Sequence, residues 1–313
     1  MRYKKIADKR RGRRRKWEPM SACREEKCWE IDGRTGLFGL LGSPVEHSLS
    51  PAMHNEAFRL LGINARYLAF DLQKEDLPGA LPVFRKMKLQ GCNLTMPLKE
   101  AVIPLCDSIS KEARLAHSVN TLVFRENGEI EGHSTDGKGF FRGLEAKGLA
   151  LKGKKLSLLG LGGAGKAILS YGIGTELSEI EVLVREESKG KYEDFVERCE
   201  KESGRKISLK SLEKDLEEAC GSSDILVNAS SVGMKEDRSL VEDSRWLYKG
   251  LFVADCIYHP LETKFLQQAK EQGLPCMNGL PMLFYQGAES FRLWTGKEFP
   301  EAEVYSLLLS KVR

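Results

Sequence analysis

The chain reads as an α/β protein of two domains, and three observations say so. Its 313 residues exceed what one core usually organises and suit two, since single domains mostly run about 100–200 residues. Short apolar runs alternate along the chain with stretches of helical periodicity, the pattern of strands covered by helices. From residue 151 the alternation becomes regular and opens on a strand, a glycine-rich turn and a helix, which marks a doubly wound parallel sheet.

In the first half, strands are expected at 37–41, 66–70, 92–95 and Thr121–Phe124, the last turning at Asn127-Gly128, a favoured hairpin pair, into 129–133. Helices fall between them. The clearest has Ser50 as expected N-cap and Pro51 at the first helical position, carries Met53, Ala57 and Leu60, and stops at Gly62. In the second half, strands are expected at Lys155–Leu159, 180–184, 207–209, Ile225–Asn228 and Phe252–Asp255. A helix should start near Gly163, a charged one cover 191–202, and two close the chain at 283–294, ended by Gly296, and 301–312.

Composition narrows the class. With 41% hydrophobic and 30% charged residues, and no apolar run near the roughly 20 residues of a membrane span, a soluble protein without a membrane partner is expected. Eight cysteines are scattered with no C-x-x-C pair, and no apolar signal core opens the chain, so reduced thiols and a cytoplasmic location are expected. The five histidines show no ligand spacing, so no metal is expected. The net charge of +4 is uneven: residues 1–16 hold ten Lys or Arg against Asp8 alone, leaving the rest mildly acidic. Residues 1–30 read as a basic, disordered extension outside the domains, with nucleic acid a disfavoured partner.

Strand Lys155–Leu159 runs straight into Gly160-Leu161-Gly162-Gly163-Ala164-Gly165. Glycines at the first, third and sixth positions allow a tight turn, close approach to a pyrophosphate and helix–strand packing, so this turn points to a dinucleotide. About 20 residues on, Arg185 suits the 2′-phosphate of NADP, while Glu186 and Glu187 suit the ribose of NAD or are solvated acids. Arg185 comes first, and NADP is the expected cofactor with NAD the alternative.

Reduction of a carbonyl beside such a cofactor needs a proton donor, and Lys99, in a loop after a strand and Pro97, is the candidate. Asn93, Thr95, Asn120 and Asp136 sit at strand ends or helix starts, with Ser48 and Ser50 in an earlier motif, and supply directional hydrogen bonds for an acid rich in hydroxyls. Each also has a structural reading: Ser50 and Asp136 as helix caps, Asn120 as a turn residue.

HSLSPAMHN, NLTMPLKE, HSVNTLV, STDGKGF, GLGGAG, NASSVGM and GLPMLFYQGAESFRLWTG occur in the order and spacing of the shikimate dehydrogenases, and the resemblance covers about 31–311. It implies an α/β substrate domain at 31–135 completed by C-terminal helices at 280–313, around an inserted Rossmann-type NADP-binding domain at 136–279. The resemblance makes Lys99 the catalytic acid/base with Asp136 beside it, and Ser48 and Ser50 the ligands of the substrate carboxylate. Thr95, Asn120, Tyr258 and Gln286 match further substrate contacts. Gly160, Leu161, Gly162, Gly163, Ala164 and Arg185 form the cofactor set, with Cys256, and with Gly279 near the nicotinamide. The implied reaction is the reversible, NADPH-dependent reduction of 3-dehydroshikimate to shikimate in the chorismate pathway of aromatic amino acid biosynthesis. A quinate/shikimate dehydrogenase using NAD and a non-catalytic ligand sensor are the alternatives, and monomer and homodimer both stay open. Where the family carries N-R-T, this chain has Val184-Arg185-Glu186, setting an acid where a 2′-phosphate would lie. Ser134 and Ser43 stand where asparagine is usual.

Overall fold

The computed structural model describes residues 30–312; the basic arm, Cys23 and Cys28 lie outside them. β1 (Gly36–Gly42) is buried almost along its whole length, as a strand covered on both faces must be. α1 (Ser50–Leu60) turns Met53, His54, Ala57 and Phe58 inward at helical spacing. β2 (Ala65–Asp71), α2 (Leu77–Lys86) and β3 (Leu89–Leu94) follow, with β2 and β3 both parallel to β1. α3 (Leu98–Ala101), β4 (Ser108–Ile109) and α4 (Lys111–Ala116) lead to the hairpin β5 (Thr121–Phe124) and β6 (Ile130–His133). Its turn needs the left-handed φ of +89° that Gly128 adopts without strain. The resulting mixed sheet has the order β2-β1-β3-β5-β6-β4.

α5 (Asp136–Ala146) then carries the chain to a second sheet. β7 (Lys155–Leu159), α6 (Gly163–Gly172), β8 (Glu179–Val184), α7 (Lys189–Ser203), β9 (Ser208–Ser211), α8 (Leu212–Ser222), β10 (Ile225–Asn228), β11 (Phe252–Asp255), α9 (Lys264–Glu271) and β12 (Cys276–Met277) build it. All six strands are parallel, in the order β9-β8-β7-β10-β11-β12. The winding reverses between β7 and β10, and ligands of such sheets bind in the crevice at that point, beyond the strands' carboxyl ends.

α10 (Leu280–Thr295) and α11 (Glu301–Lys311) return to the first sheet, where Leu280, Phe284, Ala288 and Phe291 join Phe38, Met53 and Phe58 in one core. Each fully buried Leu, Phe or Met side chain among them contributes roughly 1.5–3 kcal/mol. α5 and α10 lie side by side as the seam between the sheets. A side chain on Gly139 would come within 2.5 Å of the Gln286 backbone, so only glycine permits that approach.

Several elements differ from expectation. Ser50 is not the N-cap: Leu49 holds that position with helical φ and ψ and no side-chain cap, and Ser50 is the first helical residue. The Ser48 hydroxyl instead accepts the Ser50 N–H at 3.2 Å. α10 begins three residues before the expected 283, because Pro281 fits a first helical turn. The strand expected at 207–209 forms one residue later and runs to Ser211, where it pairs with Val184 at the end of β8.

Candidate active site

Lys99 sits on α3, a single turn fixed at both ends: the Leu98 N–H donates to Thr95 O at 2.9 Å, and Lys99 O accepts from Val119 N at 2.9 Å. Its ammonium donates to Asp136 Oδ2 at 2.6 Å, with a quarter of the lysine side chain still exposed and a tenth of the aspartate's. The two come from different elements, a loop helix of the first sheet and the first residue of α5. Asp136 does not cap its helix; its side chain faces the lysine. An ammonium held this way, a quarter exposed, can exchange a proton with a small substrate.

The other carboxylate oxygen of Asp136 accepts from Asn120 Nδ2 at 2.8 Å, and the same amide donates to Thr135 Oγ1 at 2.9 Å and Gln286 Oε1 at 3.2 Å. Asn120 Oδ1 accepts the Thr135 N–H at 2.8 Å, so this is no free turn residue but the hub joining β5, α5 and α10. Behind it lies a second layer. Asn93, buried, donates to Ser290 Oγ at 2.9 Å and Thr121 Oγ1 at 3.1 Å, and accepts from the Tyr67 hydroxyl at 2.9 Å. Its amide is committed within the protein, which gives it the wall of the site to hold. Thr121, Thr135, Ser290 and Tyr67 escaped sequence reasoning, although Thr121 and Thr135 each adjoin a residue that was singled out. His54 stacks on Tyr67 at 4.5 Å between ring centroids. Burial pushes its imidazole down to about 3, only partly offset by the nearby Asn93 amide, so the ring is neutral.

Ser48, half-buried, and Ser50, buried, lie at the start of α1, and Ser50 is close enough to the Tyr67 hydroxyl to favour its ionised form against burial, which raises that phenol strongly. Thr95 is half-buried at the end of β3, its methyl against Gly42. Tyr258 follows β11 yet packs on the core of the first sheet, and burial raises its phenol. Gln286 spends its amide on Leu283 O at 2.8 Å and turns its oxygen to Asn120. Thr95 is tied to the Lys99 turn through the Leu98 N–H and Gln286 to Asp136 through Asn120, while Ser50 meets the layer behind through Tyr67.

The glycine turn belongs to the second sheet, and Lys166 of the helix it opens pairs with Glu100, the neighbour of Lys99, at 2.9 Å. Gly160 has φ of +95°, and a side chain on Gly165 would collide with Gly160 O. Beyond Gly162 and Gly163, by contrast, a side chain would meet nothing within 4 Å. This is a cradle at the N-terminus of α6 with room for a pyrophosphate, and the residues present fit a dinucleotide. Leu161 is buried in the core beneath, so only its backbone can reach a ligand. Ala164 is half-buried against the same core. Gly279 touches the Cys256 carbonyl so closely that no side chain fits, and its N–H donates to Ile257 O at 2.9 Å. The Cys256 thiol is raised by burial and then by the carboxylates of Asp255 and Asp136, which places the end of β11 near the Lys99 pair. Arg185 stands at the far end of the crevice, exposed and paired with Glu187 at 3.0 Å.

No helix among the described residues is long and apolar enough to cross a membrane, and no group of three or more potential metal ligands gathers among them. The substrate-binding domain model of shikimate dehydrogenases matches residues 40–122, and the C-terminal domain model of shikimate 5′-dehydrogenases matches 279–309. The chain is 44% identical over 284 residues to the shikimate dehydrogenase (NADP(+)) of Streptococcus pneumoniae, covering 90% of this chain and 99% of that one. Among solved structures, the shikimate 5-dehydrogenase of Listeria monocytogenes in complex with shikimate and NAD superposes with a TM-score of 0.84 at 38% identity, over 89% of this chain and 98% of the other. The enzyme of Thermus thermophilus in complex with NADP(H) and shikimate gives 0.78 at 36% identity, over 88% and 99%.

Proposed function

The chain belongs to the shikimate dehydrogenase family, and from that membership we propose that it catalyses the reversible, NADP-dependent interconversion of shikimate and 3-dehydroshikimate. The observation that carries this reading is the 2.6 Å contact of Lys99 with Asp136 in a chain whose second sheet carries the glycine cradle. It also disfavours a non-catalytic sensor, which would need no such pair. Bound NADP supplies the hydride acceptor, or as NADPH the donor.

The chain's own residues do the rest. In the reduction the Lys99 ammonium gives its proton to the carbonyl oxygen and is left as the neutral amine; in the oxidation the neutral amine takes the proton of the reacting hydroxyl and becomes the ammonium again. Asp136 holds the ammonium in place, and Asn120 fixes the carboxylate's second oxygen so that it cannot swing away. Ser48 and Ser50 hold the substrate carboxylate, while Thr95, Tyr258 and Gln286 meet its hydroxyls and ring. The backbone of Gly160–Ala164 cradles the pyrophosphate, with Gly279 and Cys256 towards the nicotinamide and Arg185 at the ribose. In this reading, 31–135 with 280–313 forms the substrate domain and 136–279 the nucleotide domain. The protein works in the cytoplasm, where thiols such as its six described free cysteines stay reduced.

Following NADPH formation with shikimate and NADP tests the reading. Shikimate should be oxidised, and analogues lacking one ring hydroxyl should lose kcat/KM by roughly two orders of magnitude or more, because buried polar groups are left unpaired. Equal rates on the deoxy analogues, or no turnover of shikimate with either dinucleotide, would sink it.

A further inference from the structure

The end of β8 holds a charge arrangement that the proposed reaction does not require. The Gly160 N–H donates to Leu183 O at 2.8 Å, so the glycine turn and the residues after Val184 sit side by side. In a sheet of this winding, that place reads the 2′ position of the adenosine ribose. Three cations and three carboxylates meet there. Arg185 pairs with Glu187. Glu186 has a lysine on each oxygen, Lys214 at 3.1 Å on one and Lys189 at 4.0 Å on the other. Glu213 accepts the Glu186 N–H at 2.9 Å and the Ser211 hydroxyl at 2.9 Å, fixing the backbone from which the Glu186 carboxylate extends.

Resting on the dinucleotide reading above, we infer that Glu186 sets this chain's cofactor choice: it occupies the lysines a 2′-phosphate would use, so the site accepts NAD and NADP with little discrimination. A 2′-phosphate brings about −1.5 to −2 charges. It meets as many carboxylates as cations, and must displace Glu186 from Lys189 and Lys214 before they can neutralise it. A ribose 2′-hydroxyl meets the opposite situation, since it donates a hydrogen bond to the carboxylate and leaves the lysines where they are. Lys214, two-thirds exposed, is free to change partner, and Lys189, one-third exposed, is held to Glu186 only at 4.0 Å. Lys214, which pulls the Glu186 carboxyl below its ordinary range, keeps the acid charged throughout the neutral range. The result is a site in which the acid competes with the phosphate for the same two ammonium groups.

Calorimetry with adenosine 2′,5′-bisphosphate and adenosine 5′-monophosphate reads this without turnover, alongside kcat/KM for NADPH and NADH. The wild type should bind the two nucleotides within about tenfold of each other, and Glu186→Gln should tighten the bisphosphate by about tenfold or more while moving the monophosphate less than about threefold. Adding Lys214→Ala to Glu186→Gln should give most of that gain back. A wild type that prefers the bisphosphate by about a thousandfold, or a Glu186→Gln protein whose ratio of affinities stays unchanged, overturns the inference. Failure of shikimate turnover with the nucleotide ratios as expected would strike the proposed reaction instead and leave the role of Glu186 standing.

Discussion

Lys99 shows what single residues reveal and conceal. A loop lysine after a strand is usually surface charge, and only its company in the sequence marks it; Lys201 of α7 has a carboxylate just as near, Glu197 at 2.7 Å, and what separates Lys99 is that its pair with Asp136 is largely buried while that one is exposed. Side chains whose role depends on a distant partner were the least legible. Asn93 and Asn120 were both singled out, but nothing local shows that one is spent on a buried lattice while the other holds the acid. His54 is the sharper case, an ordinary member of HSLSPAMHN that the fold encloses completely. Its imidazole falls from 6.5 in the open chain to about 3 in the fold because burial penalises the charged form. The unfolded chain therefore binds the extra proton between those values, and stability falls as pH drops below 6.5, by up to about 1.4 kcal/mol per pH unit. Urea unfolding at about pH 7 and pH 5 should show a larger loss in the wild type than in His54→Phe. Equal losses would mean that the ring is reached by solvent or by a partner in the fold.

Elements were easier to read than their neighbours in space. β7, β10 and β11 lie where their apolar runs end, because central parallel strands are covered on both faces and carry little else. α8 and α9, which follow β9 and β11, are amphipathic helices with Leu216, Ala219 and Cys220, and Phe265, Leu266 and Ala269, turned inward, and the sequence reading passes over both. The seam helices depend on glycines whose purpose no local pattern discloses. Gly137 lies where α5 crosses α6, and a side chain there would overlap the Ala167 carbonyl, which is backbone and cannot rotate aside. Gly137→Ala should accordingly cost about 1–3 kcal/mol of stability by overpacking, despite alanine's better helix propensity. A variant as stable as the wild type by denaturant midpoint would show that the helices are free to part. The same seam carries Glu289 of α10, bound to Lys138 of α5 at 2.8 Å and to Arg292 at 2.8 Å.

At the scale of the molecule, the sheets divide the chemistry between them, and the parts that make one cleft of them were hidden from a reading along the chain. Lys166 of α6 pairs with Glu100, the neighbour of Lys99, at 2.9 Å, and Lys111 of α4 pairs with Glu202 of α7 at 2.6 Å. Each is an exposed pair contributing little by itself, but both tie the cradle side to the side that bears Lys99. The order of motifs could announce two domains, whereas the crossing of α5 and α10 that sets Asp136 against Lys99 is a product of packing. Catalysis depends on that meeting: Lys99 handles the proton between the two sheets. This role is tested most directly by measuring kcat for shikimate oxidation in Lys99→Met together with the calorimetric Kd for shikimate. The expected result is a fall in kcat of about 10²–10⁴-fold with shikimate still bound; turnover within a few-fold of the wild type would contradict it.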